Sequence, residues 1–249
     1  MEKVRVGAVS YLNTKPLIYG LEKGMMKGSV ELLLDYPSRI ATALMNDQID
    51  IGLIPVAIIP ELKEYHIVSD YCIGATGPVA SVCLFSEVPI QEIRTILLDN
   101  QSKTSVALLK ILIREYWKID PVFATTDENY QSAIKGTTAG LVIGDRALVQ
   151  RKISPYIYDL GEAWDNYTQL PFVFASWVSN KILPNDFLQQ FNEVNNFGLS
   201  HLPEVIKDNP YSIYDLNTYY TKNISYTLDE NKKKGLELFL SKLPALIYK

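Results

Sequence analysis

Two short polar turns, Ser10-Tyr11-Leu12-Asn13-Thr14 and Ser102-Lys103-Thr104-Ser105, gather side chains suited to binding a small anion. Each stands where an apolar run gives way to a helical pattern. A helix N-terminus presents unpaired backbone N–H groups and a positive dipole end, which suits a carboxylate or a phosphate. Thr104 and Ser105 add hydroxyls beside such amides, although the same residue types are common helix caps and spacing leaves both roles open. Asn13 carries an amide that donates and accepts, with an Asx-turn as its plain structural role. Ser81 faces either a cleft or the packing of its own strand. Gly144-Asp145 ends another strand and offers a backbone N–H, or the Asp caps the helix opening at Arg146. Ser10, Tyr11, Pro55 and Val56 complete the candidate binding set, all at strand ends, where open α/β sheets take their ligands.

Other chemistries are missing from the pattern. No Ser-His-Asp set, zinc spacing, Walker loop or dinucleotide fingerprint occurs, so neither a metal nor a cofactor is expected and no conventional strong base is in view. His66 and His201 lie far from the polar turns and read as structural or exposed, while Arg39 and Arg146 are open to pairing with a carboxylate or to a surface position. Cys72 and Cys83 sit in apolar surroundings and read as reduced core residues. Lys and Arg total 24 against 28 Asp and Glu, net charge −4, which gives no electrostatic footprint for nucleic acid. No charge-free apolar run approaches the roughly 18 residues of a membrane span. Met1-Glu2-Lys3 leads directly into a strand-like segment instead of a secretion signal, so the expected compartment is the cytoplasm.

Alternating strand and helix patterns must position the turns. Strands are expected at Val4–Val9, Val30–Leu34, Ile49–Val56, Ile67–Ile73, Ala80–Phe85, Ile96–Asp99, 122–124, 140–145 and Leu170–Val178. Helices are expected from about Pro16, over 37–47, over 106–117 and over 231–243. Such alternation predicts an α/β protein with parallel sheets under helices. Two similar units joined by long strands suggest a two-lobed, hinge-bending architecture with a ligand cleft between the lobes. The expected division is 1–86 plus 173–249 for one lobe and 87–172 for the other, with hinge strands near 80–86 and 172–178.

The run Ser10-Tyr11-Leu12-Asn13-Thr14-Lys15-Pro16-Leu17 closely resembles the N-terminal signature of the chorismate dehydratases of menaquinone biosynthesis by the futalosine route. Weaker matches follow in the expected order: Gln48–Pro55, Ser81–Ser86, Thr104–Leu108, Ile143–Asp145, Asp159–Trp164 and Leu170–Ala175. The resemblance implies a type II periplasmic-binding-protein-like fold turned to catalysis in the cytoplasm. The implied reaction is that of a hydro-lyase converting chorismate to 3-[(1-carboxyvinyl)oxy]benzoate and water. Catalytic roles then fall to Asn13 and Ser81, and a doubly charged ring acid is the partner, with monomer or homodimer left open. Lys103 stands where Arg is expected and Gln169 where Gly is expected; Lys keeps the charge but loses the bidentate fork. The rival readings are 1,4-dihydroxy-6-naphthoate synthase, later in the same route, and a non-catalytic carboxylate-binding protein.

Overall fold

Continuous apolar strands form where both faces of a sheet are covered, and this chain has two such sheets. A computed structural model describes residues 3–99, 102–126 and 130–247. In the first sheet, β1 (Val4–Val9) pairs in parallel with β2 (Val30–Asp35) and β3 (Ile51–Pro55). β4 (His66–Ala75) stands apart from these in the sheet. In the second sheet are β5 (Val82–Ser86), β6 (Thr95–Leu98), β7 (Val122–Thr125), β8 (Thr138–Ile143) and β9 (Tyr156–Asp159). The chain then returns to the first sheet with β10 (Phe172–Ser179), antiparallel to both β3 and β4, and β11 (Ser225–Thr227) on the edge. The orders are β11-β4-β10-β3-β1-β2 and β7-β6-β8-β5-β9. All five residues of β3 and of β5 are buried, as central strands require.

Helices follow the strands as the alternation predicts: α1 (Lys15–Glu22), α2 (Pro37–Met45), α3 (Lys103–Leu112), α4 (Asp145–Gln150), α5 (Leu160–Thr168) and α6 (Asn185–Ser200). α1 and α6 touch closely, because a Cβ on Gly198 would fall 1.8 Å from the Pro16 carbonyl oxygen. The long helix expected over 106–117 divides into α3 and a π-helical turn at Ile113–Trp117, closed by Lys118 in the left-handed region at φ 54°. A C-terminal helix spans Glu230–Lys242.

The sheets correct the expected crossings. β5 lies between β8 and β9, so 82–86 belongs to the second sheet, and β10 lies between β4 and β3 within the first. The chain passes outward through 76–81 and returns through α5 and the residues before β10. The lobe edge expected at 86 therefore falls earlier than the apolar run suggested. An apolar run is the same whether a strand crosses between sheets or pairs within one, and only its hydrogen-bonded partners decide.

Asp159 ties the two passages together. Its carboxylate, 7% exposed, accepts from the amides of Val79 (3.0 Å) and Ala80 (2.7 Å) on the outgoing passage and from Gly161 (3.0 Å) and Glu162 (3.3 Å) at the start of α5. Ala80 holds φ 63°, a conformation costing an L-residue about 1–2 kcal/mol, and this bond fixes it there.

Candidate active site between the two sheets

The passages bring the strand ends of both sheets face to face around a cavity of about 60 Å³. Its walls include Tyr11, Asn13, Pro55, Ser81, Ser105 and Gly144, which the sequence singled out from five separate segments. Phe174 of β10 supplies apolar surface, and Ser102 lies beside Ser105.

The donors are set by local chemistry. Ser102 is the N-cap of α3: its Oγ accepts from the Ser105 amide at 3.2 Å and donates to Ser105 Oγ at 2.9 Å, which leaves the Ser105 proton to turn outward. Asn13 has its carbonyl oxygen held by the Tyr226 hydroxyl at 2.9 Å, and its side-chain Oδ1 accepts from Thr14 at 3.3 Å. Its Nδ2 makes no hydrogen bond among the described residues. Ser81 is fully buried and receives the Tyr219 hydroxyl at 2.7 Å. Tyr11 packs its ring on Gly144, where a Cβ would lie 3.3 Å from the ring and φ is 63°; the backbone conformation is what favours glycine there. Burial pushes the Tyr11 phenol up to about 12, against the lowering pull of Arg146.

Four expected ligand contacts do not line the cavity. Ser10 ends β1 facing solvent, and Val56 is packed in the core. The Thr104 hydroxyl accepts from the Ala57 amide at 3.1 Å, spanning the two lobes. The Asp145 carboxylate accepts from the Leu12 amide at 3.2 Å, again across the lobes, and burial raises its pKa despite that bond and nearby Lys15. The backbone N–H expected from Gly144 is also engaged, donating to the Ser81 carbonyl at 2.8 Å.

Among the described residues, charged groups flank the cavity without lining it. Lys103 Nζ reaches Glu61 at 3.0 Å on the exposed side of the lobe junction. Arg146 pairs with the buried Asp99 at 2.7 Å, and Arg39 is a surface partner of Asp35. His66 pairs with Glu64, and His201 bonds the Phe197 carbonyl, so neither histidine serves the site. Cys72 and Cys83 are buried free thiols whose pKa burial raises, Cys72 to about 12.

Sequence reasoning missed Ser102, placed in the turn but given no role, and the tyrosines behind the site. Tyr219 meets Ser81, Tyr226 meets Asn13, and Tyr211 donates to the Asp145 carbonyl at 3.1 Å. The signal available was the crowding of tyrosines at 211, 214, 219, 220 and 226, in a stretch that reads only as mainly helical.

Among the described residues, no helix is long and apolar enough to cross a membrane and no group of acidic, His or Cys residues could hold a metal ion. A family model described as menaquinone biosynthesis matches residues 4–245. A chorismate dehydratase of Thermus thermophilus is 27% identical, over 96% of this chain and 94% of that protein. The alkanesulfonate-binding protein of Xanthomonas axonopodis, bound to MOPS, is similar in structure at TM-score 0.70 and 13% identity, over 98% of this chain and 92% of that one. A Candida albicans protein described as having the generic periplasmic-binding-protein fold reaches TM-score 0.62 at 15% identity, over 96% and 90% of the two chains. Those two likenesses establish the two-lobed α/β fold that the sequence predicted. The family match runs through both sheets and both passages between them, and on it the chain belongs to the menaquinone biosynthesis family.

Proposed function

We propose that this protein is a chorismate dehydratase, a hydro-lyase that removes the C3 proton and the C4 hydroxyl of chorismate to give 3-[(1-carboxyvinyl)oxy]benzoate and water. The observation that carries the reading is family membership over nearly the whole chain, joined to likeness with a relative bearing that activity. The cavity supports it chemically. It offers neutral donors, from Ser81, Ser105 and Asn13, beside a helix N-terminus, and among the described residues Tyr11 is the one titratable side chain on its wall.

That set suits a reaction whose product is an aromatic ring, because the stability of the ring supplies the driving force and a strong protein base is dispensable. Ser105 and the first turn of α3 hold one carboxylate of the substrate. Asn13 and Ser81 orient the enolpyruvyl side and the departing hydroxyl. The substrate's own enolpyruvyl carboxylate lifts the C3 proton, the C–H pair becomes the new ring π bond, and the C4–O pair leaves with oxygen. The lifted proton ends on that oxygen, so one water is lost and the carboxylate is restored. Orientation, exclusion of water and hydrogen bonds to developing charge are the protein's contribution.

The substrate class is a small dicarboxylic acid, and the buried, unpaired Cys72 and Cys83 fit a reducing compartment such as the cytoplasm. Mixing the purified protein with chorismate and following mass tests the reading. Loss of one water is the expected result; unchanged chorismate would leave a capture protein of the same fold, and turnover of cyclic dehypoxanthinylfutalosine would point to the later enzyme of the route.

A further inference from the structure

The backbone of Ser81 is fixed on both sides: its amide donates to the Val79 carbonyl at 2.8 Å and its carbonyl accepts from Gly144 at 2.8 Å. What stays adjustable is the direction of its hydroxyl proton. The Tyr219 oxygen lies 2.7 Å away, and Tyr219 is fully buried. Among the described residues the Tyr219 hydroxyl has no acceptor other than Ser81, and a buried donor left unpaired is costly. Tyr219 therefore donates. Ser81 Oγ, having accepted, turns its own proton to its remaining open side, which is the cavity.

We propose that Tyr219 is a positioning residue: by donating to Ser81 Oγ it aims the Ser81 proton at the C4 oxygen that departs from the substrate. This rests on the dehydratase reading given above. Ser81 keeps its proton throughout and only hydrogen-bonds the oxygen as the C4–O bond breaks. The Tyr219 ring is held edge-on by Tyr214, with centroids 6.0 Å apart at 78°, and its amide is anchored on the Asp215 carbonyl at 2.9 Å. Burial drives its phenol well above the ordinary tyrosine value, so the donor stays protonated wherever the protein is folded and active. Tyr226 and Tyr211, from the same segment, fix the backbones of Asn13 and Asp145 in the same way, so one stretch of chain backs several parts of the site.

The test is a double-mutant cycle on chorismate turnover with Tyr219→Phe, Ser81→Ala and the pair. Tyr219→Phe is expected to lower kcat about tenfold or more while KM moves less than about threefold, and to cost nothing further in the Ser81→Ala background. An unchanged kcat in Tyr219→Phe, or the same fold loss with and without Ser81, overturns the proposal. If Ser81→Ala turns over like wild type, Tyr219 has nothing to position and the proposal falls, while the dehydratase reading stands. If the wild type makes no product, both fall. Should Tyr219→Phe not fold by circular dichroism, 3-fluorotyrosine at position 219 takes its place: kcat must change with Ser81 present and not with Ser81→Ala, and any other pattern overturns the idea.

Discussion

The Ala80 amide donates to Asp159 Oδ2 at 2.7 Å, joining the outgoing passage between the sheets to the strand end from which the chain returns. Ser81 follows Ala80 directly, so this bond sets where the serine enters the cavity. Asp159→Ala leaves four amides without their acceptor and releases the left-handed Ala80. We expect a loss of about 3–5 kcal/mol in unfolding free energy, read by urea titration, since breaking a buried charged network is among the costliest single changes. Asp159→Asn keeps an acceptor oxygen and should lose less.

Asn13 lines the cavity with its Nδ2 unengaged among the described residues, while Tyr226 holds its backbone. Asn13→Ala removes a donor near the reacting centre and fills no core space. Turnover of chorismate should fall about 10²-fold, with binding of the substrate by calorimetry weakened far less. Near-wild-type turnover would remove Asn13 from the chemistry.

Thr104 and Ser105 are neighbours with different work. Ser105 lines the cavity, so Ser105→Ala should raise KM by about 10- to 100-fold with kcat largely kept, in line with the ~1.5–3 kcal/mol of a hydrogen bond to a charged group. The Thr104 hydroxyl is engaged with Ala57 across the lobes, so Thr104→Val should act on closure, raising KM by less and making the solution radius of gyration larger in X-ray scattering. Equal effects from both changes would contradict this division.

Gln169 closes α5 in the left-handed region at φ 58°, at the position where the family resemblance expects glycine. The conformation is the reason glycine is expected there. Gln169→Gly should raise stability by about 1 kcal/mol, seen as an upward shift in melting temperature, without touching turnover.

Glu115 is the acid switch of the C-terminal packing. Burial alone would raise its pKa, but hydrogen bonds from Lys242 (2.6 Å), Arg114 (2.5 Å) and Tyr167 (2.8 Å) outweigh that and bring it down to about 2. A depressed carboxylate stabilises the fold above its unfolded value, about 4.3, and that contribution disappears as pH falls towards 2. Glu115→Gln should therefore weaken the protein at neutral pH and flatten the loss of stability between about pH 4.5 and 2, measured by unfolding at stepped pH.

How far the sequence reached depends on the range of the interaction. Strands such as Ile51–Pro55 and the α3 region were legible because burial imposes apolar runs and periodicity on consecutive residues. Tyr11, Asn13, Ser81 and Ser105 could be found because strand ends in an α/β sheet converge. Thr104 and Asp145 were placed on the same logic, yet their polar atoms turned to partners on the opposite lobe, which no local pattern reveals. Tyr219 was invisible for the same reason: its partner Ser81 lies 138 residues away. The short edge strands Tyr156–Asp159 and Ser225–Thr227 carry too few residues for a period to show.

The size of the cavity bears on inhibitor discovery. A cavity of about 60 Å³ is well below the roughly 300–1,000 Å³ of pockets that enclose a drug-sized ligand, whereas chorismate is a substituted ring with two carboxylates. Compounds chosen to fit this cavity as it stands would be fragments smaller than the natural ligand. Leads of useful potency should instead be sought against a parted form, where a wedge seated between Ser81 and Ser105 would hold the halves open and trap the protein before it can act.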